Sequence, residues 1–274
     1  MTINCNGKLI DLTSPKVMGI LNVTPNSFYD GGKHLEEKVI LKQVEKMLSE
    51  GAAFIDVGGY SSKPNAEEVS EEQELQRILP VVQNIIKEFP NTVISIDTFR
   101  SKVAQAAVEN GAAIINDISA GSLDANMMKT VAQLQVPYIM MHMKGTPQTM
   151  QSLAQYENIV KEMLFYFSEK IAQARSFGIN DLILDPGFGF AKTVEQNFEV
   201  LTKLELFQIT ELPILAGLSR KSMIYKTLDT TSEFALNGTT SLNTISLLKG
   251  AKIIRVHDVK EAVECVQLFT QLKN

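Results

Sequence analysis

A (β/α)₈ barrel is the fold class this sequence predicts, and three observations carry the prediction. Eight short apolar runs rich in β-formers recur along the 274 residues, at 17–23, 54–58, 93–98, 114–118, 137–142, 182–185, 214–218 and 253–257. Stretches with helical periodicity separate them, and no Pro- or Ser-rich linker interrupts the series. Eight strand–helix units in about 250 residues are the size of one closed barrel, so a single domain over residues 1–274 is expected, with the barrel at roughly 16–273. A doubly wound open sheet is the alternative, and the unit count and length favour the barrel.

The first strand run ends at Asn22, and the loop after it, "TPNSFYDGG", is unusually long for a βα connection. The helical stretch "LEEKVILKQVEKMLSEG" follows and stops at Gly51, as C-cap chemistry favours. The run 54–58 carries Asp56 and leads into a second polar loop, then "SEEQELQRILPVVQNIIKEF". The run 93–98 places Ser95 and Asp97 on one face by the period of two, opposite Ile94 and Ile96. Asn116 and His142 lie in the next two runs, with helices stopping near Gly111 and Gly178. Asp185 ends the run "LILD" and is followed by "GFGF", where glycines permit close backbone approach and Phe188 or Phe190 can pack on a ring. The run 214–218 leads into "GLSRKSM", whose backbone N–H groups precede helical sequence and suit an anion. After Gly250, Arg255 and His257 share a face, and the helix "KEAVECVQLFTQLK" closes the chain.

Composition excludes several classes. Hydrophobic residues at 45% and charged residues at 21% describe a globular protein, and the net charge of −5 argues against a general nucleic-acid or anionic-membrane binder. Cys5 and Cys265 have no metal-ligand spacing around them, so reduced cytosolic thiols are expected. The start "MTINCNGKLIDLTSPK" lacks the apolar core of a signal peptide, and no apolar run reaches the length of a membrane span. A soluble cytoplasmic protein is the expectation.

In a barrel the C-terminal strand ends hold the active site, so the polar residues there require explanation. A carboxylate inside the mouth must meet a donor. One acid alone reads as a structural ion pair with Lys221 or Arg255; two acids, an amide and two cations converging on one mouth read as a ligand site. Two zones follow. Asp97, Asn116 and Asp185 offer acceptors to a flat heterocycle with amino and ring N–H groups. Lys221, Arg255 and His257, with Ser219 and Ser222, offer donors to an anion. His142 fits a satisfied core position as well as a ligand-facing one, and His34 reads as a loop residue.

The segments "GILNVTPNSFYDGG", "FIDVGGYSSKP", "ISIDT", "IINDIS", "MMHMKGTP", "LILDPGFGFAK", "GLSRKSMI" and "IIRVHDV" resemble, in order and spacing, the motifs of the dihydropteroate synthase family. The resemblance implies a TIM barrel, usually dimeric, that joins 6-hydroxymethyl-7,8-dihydropterin diphosphate to p-aminobenzoate with Mg²⁺, releasing pyrophosphate. It implies a pterin pocket of Asp97, Asn116, Asp185 and Lys221 walled by Met140 and Phe190. Arg255, His257 and Asn22 match the diphosphate site, with a buried Asn22 linked to Mg²⁺, and Phe28, Ser62, Lys63, Pro64 and Ser222 lie in the motifs around p-aminobenzoate and the leaving group. Asp97, Asp185, Lys221 and Arg255 are the implied catalytic set. The loops 24–33 and 60–69 are expected to close over the site and exclude water from a reactive dihydropterin cation.

The chain departs from the family pattern at Asn26 for Asp, Tyr60 for Glu, Ser62 for Thr, Lys63 for Arg, Asn65 for Gly and Ala191 for Gly. A pterin-binding methyltransferase barrel is a related alternative, disfavoured by "SRKSMI" and "RVHD", since a methyl carrier has no diphosphate to hold. A Schiff-base aldolase using Lys221, with Arg220 depressing its pKa, is a second enzymatic alternative, and an idle binding barrel the non-enzymatic one.

Overall fold

The chain opens with an antiparallel hairpin that the sequence reading did not foresee, β1 (Thr2–Cys5) and β2 (Lys8–Asp11). Asn6 and Gly7 both take positive φ, 51° and 83°, as a two-residue hairpin turn requires. The structure is a computed structural model, and the residues it describes are 1–23, 33–60 and 69–272, the side chains of 33–36 apart.

All eight predicted runs are strands, with each boundary within two residues of the expected one: β3 (Lys16–Asn22), β4 (Phe54–Gly58), β5 (Ile94–Asp97), β6 (Ile114–Asp117), β7 (Tyr138–Met141), β8 (Leu182–Asp185), β9 (Leu215–Ala216) and β10 (Ile253–Val256). Neighbours pair in parallel from β3 to β8 in chain order, and β10 lies between β9 and β3. An isolated bridge between Leu184 and Ile214, with Leu184 N–H donating to Pro213 O at 2.9 Å, joins β8 to the start of β9 and closes the barrel. β9 is the shortest strand because Pro213 has no N–H to donate and Gly217 follows it.

Helices α1 (Lys33–Ser49), α2 (Glu71–Glu88), α3 (Ser101–Glu109), α4 (Met127–Leu134), α5 (Ile159–Ser176), α6 (Val194–Thr202), α7 (Ser222–Thr227), α8 (Leu236–Leu248) and α9 (Val259–Gln271) connect the strands. Two of them begin with capping boxes. Ser70 Oγ accepts from Gln73 N at 3.2 Å while Gln73 Oε1 accepts from Ser70 N at 2.9 Å. Thr193 and Gln196 repeat the arrangement at the start of α6. Each box ends a loop at the barrel mouth with its helix donors satisfied.

Strand alternation divides the apolar residues into two cores. Outward-facing Leu21, Val57, Ile96, Ile115, Tyr138 and Leu184 pack with the helices. Inward-facing Met18, Phe54, Ile114, Ile139, Ile183, Leu215 and Ile253 fill the barrel floor, and Ile3, Cys5 and Leu12 of the hairpin segment close it from below. The interior is thus dry at the base, and the polar inward positions all lie toward the strand C-termini.

Candidate active site

Asp56, Asp97 and Arg255 meet inside the mouth. In register, Asp56 stands beside Ser95, and Asp97 beside both Gly58 and Asn116. Arg255 reaches across from β10, donating from Nε to Asp56 Oδ2 at 2.5 Å and from an Nη to Asp97 Oδ2 at 2.6 Å. Asn116 Nδ2 donates to the same Asp56 oxygen at 3.1 Å. Asp56 is fully buried, and its Oδ1 has no hydrogen-bond partner among the described residues. Burial pushes the Asp97 carboxyl up to about 7 against the pull of Arg255, and the two carboxylates hold Arg255 firmly protonated.

Asp185 and Lys221 form the second group. Asp185 Oδ1 accepts from Gly187 N at 2.7 Å, and burial raises its pKa while Lys221 opposes the rise. Lys221 donates from Nζ to Phe188 O, and its ammonium lies 4.9 Å from the Phe190 ring centre. Burial lowers Lys221 to about 8, with Arg255 adding to the effect and Asp185 opposing it. Arg220 does not contribute, contrary to the aldolase rationale. Its guanidinium makes a double hydrogen bond with Asp258, 2.8 Å on both arms, and also donates to Ser232 O and Glu233 O.

The "GFGF" turn resolves as a strap rather than a ligand cradle at its first glycine. Gly187 has φ +67°, and a Cβ there would sit 2.3 Å from His142 O, so the close approach is to a neighbouring loop. Phe188 is fully buried and Phe190 half-buried, which leaves Phe190 as the ring facing the mouth. Gly187→Ala is expected to destabilise the fold by about 2–4 kcal/mol, from left-handed strain plus an immovable backbone contact. Urea denaturation checks it, and an unchanged midpoint would contradict the packing described.

Asn22, His257 and Ser222 mark the rim. Asn22 is exposed, not buried as expected, because it is the last residue of β3 and stands beside Gly58. A Cβ on Gly58 would lie 3.5 Å from Asp97 Cβ and 3.9 Å from Asn22 Oδ1, so the glycine keeps that passage open. His257 is also exposed. Its Nδ1 lies 2.9 Å from Ser219 Oγ, which in turn accepts from His257 N at 3.2 Å. Ser222 opens α7 and is half-buried.

Met140 requires correction as a pocket wall. It pairs in register with Leu184, is fully buried and packs in the outer, helix-facing core. Met141 pairs with Asp185 and packs with Phe190, Ile118, Met143 and Ala191 in a cluster at the mouth, so Met141 is the wall. His142 is a core histidine: it is 1% exposed, with Nδ1 3.0 Å from Lys192 Nζ. Two further residues have roles that the sequence does not reveal. Asp56 is an evident strand-end polar residue whose pairing with Arg255 was not foreseen. Arg100, just after β5, donates to Val69 O at 2.6 Å and to Glu74, and packs over Phe99 and Tyr60, so both flanks of the segment 61–68 converge on it. Phe28, Ser62, Lys63 and Pro64, and the departures Asn26 and Asn65, lie outside the described residues, as does most of each expected lid.

The comparisons with known proteins agree with this geometry. The family model for pterin-binding enzymes matches residues 18–257. Dihydropteroate synthase of Escherichia coli K12 is 43% identical over 270 residues, covering 98% of this chain and 95% of its own. A Yersinia pestis dihydropteroate synthase solved with a sulfonamide drug superposes with a TM-score of 0.93 at 39% identity, covering 100% of this chain and 99% of that one. The Xanthomonas albilineans enzyme with 4-aminobenzoic acid gives 0.92 at 34% identity, over 99% and 98% of the two chains. With a barrel of the same shape matched end to end, this chain belongs to the dihydropteroate synthase family of pterin-binding enzymes.

Proposed function

We propose that the chain condenses 6-hydroxymethyl-7,8-dihydropterin diphosphate with p-aminobenzoate, forming 7,8-dihydropteroate and pyrophosphate in folate biosynthesis, with the barrel and its hairpin acting as one domain. The observation that carries the reading is the polarity of the mouth from floor to rim. Asn116 and Asp185 are buried and Asp97 is half-buried, while Asn22 and His257 are exposed at the rim beside the half-buried Ser222, with the half-buried Arg255 and Lys221 between. A substrate with a donor-rich ring at one end and a diphosphate at the other fits that gradient.

In this mechanism Asp185 and Asp97 hold the pterin ring and balance the positive charge it develops as the C–O bond to the diphosphate breaks. Asn116 orients the ring, and Met141 and Phe190 supply its apolar walls. Arg255, Lys221 and His257 hold the departing diphosphate, whose charge grows as the bond lengthens. The arylamine attacks the exposed methylene carbon and loses a proton. Phe28, Ser62, Pro64 and Ser222 are the residues proposed to seat it, and Lys63 is proposed to reach the pyrophosphate.

Among the described residues no group of three or more His, Cys, Asp or Glu side chains could hold a metal ion. The single exposed amide oxygen of Asn22 nevertheless fits Mg²⁺, which keeps several waters and takes one or two protein oxygens together with substrate phosphates. When bound with the diphosphate, Mg²⁺ would neutralise charge on the leaving group.

The methyl-carrier barrel is not favoured, since the relatives described above are dihydropteroate synthases. The aldolase reading loses its rationale with Arg220 paired to Asp258. Two coarser features complete the proposal. A homodimer is supported by Leu228, Phe234, Ile245 and Leu248, all exposed on the α7–α8 side, and light scattering tests it. A cytoplasmic location accords with the finding that no described helix is long and apolar enough to cross a membrane.

The deciding assay is pyrophosphate release. It should require pterin diphosphate, p-aminobenzoate and Mg²⁺ together, and release that ignores p-aminobenzoate would overturn the reading. A pH profile gives a second test. Lys221 works as an ammonium, so with its pKa lowered to about 8 the charge is present below pH 8 and lost above it. kcat/KM for pterin diphosphate should therefore fall on an alkaline limb near pH 8. Lys221→Arg, charged throughout, should remove that limb; a limb unmoved by the substitution would assign it elsewhere.

A further inference from the structure

Lys192 is the most deeply buried lysine among the described residues, 4% exposed, and within them it makes no ion pair with a carboxylate. Lysine is among the side chains least often found buried, and a buried charge must be compensated. Its three ammonium protons have three well-placed acceptors at 3.0 Å: His142 Nδ1, Gly187 O and Phe190 O. His142 O is a fourth, longer neighbour at 3.5 Å. An ammonium offers only protons, so His142 must present a lone pair at Nδ1 and carry its own proton at Nε2. Burial keeps that imidazole neutral. Tyr166 packs edge-on against the ring at 4.9 Å and helps to fix its orientation.

The two carbonyls on Lys192 belong to the strap that follows Asp185. Backbone φ is positive at every second residue there: Gly187 at 67°, Gly189 at 82° and Ala191 at 47°. The alternation sends Gly187 O and Phe190 O to Lys192, Phe188 O to Lys221, and Gly187 N to Asp185. The strap is stitched between two lysines, one beneath it and one in the mouth. Ala191 adopts the left-handed conformation despite its Cβ, which shows that its neighbours impose the turn. We infer that Lys192 is a positioning residue for the pterin site, holding the strap so that Asp185, Lys221 and Phe190 are presented together to the ring.

A neutral side chain of the same length would fill the space but would not pull two carbonyls to one side of the turn. The charged and titratable groups that face the ammonium are Asp185, Lys221, Lys144 and His142, and only Asp185 offers opposite charge. Burial lowers Lys192 to about 7, so its hold on the strap weakens as pH rises and adds a loss of pterin affinity below the limb near pH 8, one that Lys221→Arg would leave in place.

The inference rests on the synthase reading, and the test separates the two. Wild-type protein that releases no pyrophosphate sinks that reading; the variants below sink the inference alone. Lys192→Met is expected to raise KM for pterin diphosphate at least tenfold and to weaken 6-hydroxymethylpterin similarly by calorimetry, with KM for p-aminobenzoate within threefold of wild type. Lys192→Gln, which retains an amide donor for the loop carbonyls, should show a smaller rise and provides the measurement should the Met variant fail to melt cooperatively. In combination with Asp185→Asn the losses in pterin affinity should be non-additive, the double variant binding within about threefold of the weaker single one. A cooperatively folded variant with unchanged pterin KM, or losses that simply multiply in the double variant, would leave Lys192 a packing residue and overturn the inference.

Discussion

Arg255→Ala should unfold at markedly lower denaturant than wild type at pH 8, with a loss of about 3–5 kcal/mol, the usual cost of removing one partner from a buried ion pair. Among the described residues the guanidinium is the one cation paired with two carboxylates: Asp56, fully buried, and Asp97, three-quarters enclosed. With it gone, Asp56 retains only the Asn116 amide at 3.1 Å, and Asp97 loses the charge that lowers its pKa. The pH dependence has a definite sign. Burial pushes the folded Asp97 carboxyl up to about 7, well above an ordinary aspartate, so the folded state binds its proton more tightly than the unfolded chain. Stability from such a group is lost as pH rises through that window. Without Arg255 the folded pKa climbs further, so the part of the variant's deficit that comes from Asp97 should be small below pH 7 and grow as pH rises past it. Activity should fall as well, because the same guanidinium is the deepest cation available to the diphosphate. The same guanidinium also donates to Asp97, so binding at both ends of the substrate should suffer, the anion more. Adding Asp56→Asn should recover stability but not turnover. A single variant as stable as wild type at pH 8 would show that the triad is not compensating buried charge.

The reach of the sequence follows from which signals are local. Strand runs, glycine stops and helical periodicity are short-range, so the eight units and their order were legible within a residue or two. The hairpin of β1 and β2 carried its own local signal, Asn6–Gly7 between alternating residues, but two four-residue strands are easily taken for a tail. Period two correctly turned Asp97 and Asp185 inward. It could not choose between Met140 and Met141, because the choice depends on register between β7 and β8, a contact across more than forty residues. The partnership of Asp56 with Arg255 spans 199 residues and has no sequence signature at all. Lys192 is similar: it stands in a recognisable motif, yet only the folded chain reveals that its amine points back under the strap. Polar residues at strand ends announce a site, whereas the residues that aim them are visible only in three dimensions.

Asp185→Asn should have the opposite profile from Arg255→Ala: a large loss of activity with no loss of stability. The carboxylate gives one oxygen to Gly187 N at 2.7 Å and has the other for the ring. The isosteric amide can keep the bond to Gly187 only by turning its NH₂ toward the ligand, where a ring N–H or amino group also donates. Two donors then face each other in a dry site where a charge-assisted hydrogen bond had been. The expected cost is about 2–4 kcal/mol in kcat/KM for pterin diphosphate, roughly 30- to 1000-fold. Stability should move the other way. Burial raises the folded pKa of Asp185, so the ionised carboxylate costs stability at neutral pH, and that cost disappears as acid protonates it. A neutral amide avoids it, making the variant equal to or more stable than wild type at pH 7 and indistinguishable at pH 3. One more readout ties the residue to its partner. Asp185 is the largest influence raising the Lys221 pKa, so its neutralisation should shift the alkaline limb of the pH profile below 8. Chemical denaturation, steady-state kinetics and the pH profile measure the three effects separately. Undiminished kcat/KM would remove Asp185 from the pterin site, and a stability loss like that of Arg255→Ala would make it an anchor of the strap instead.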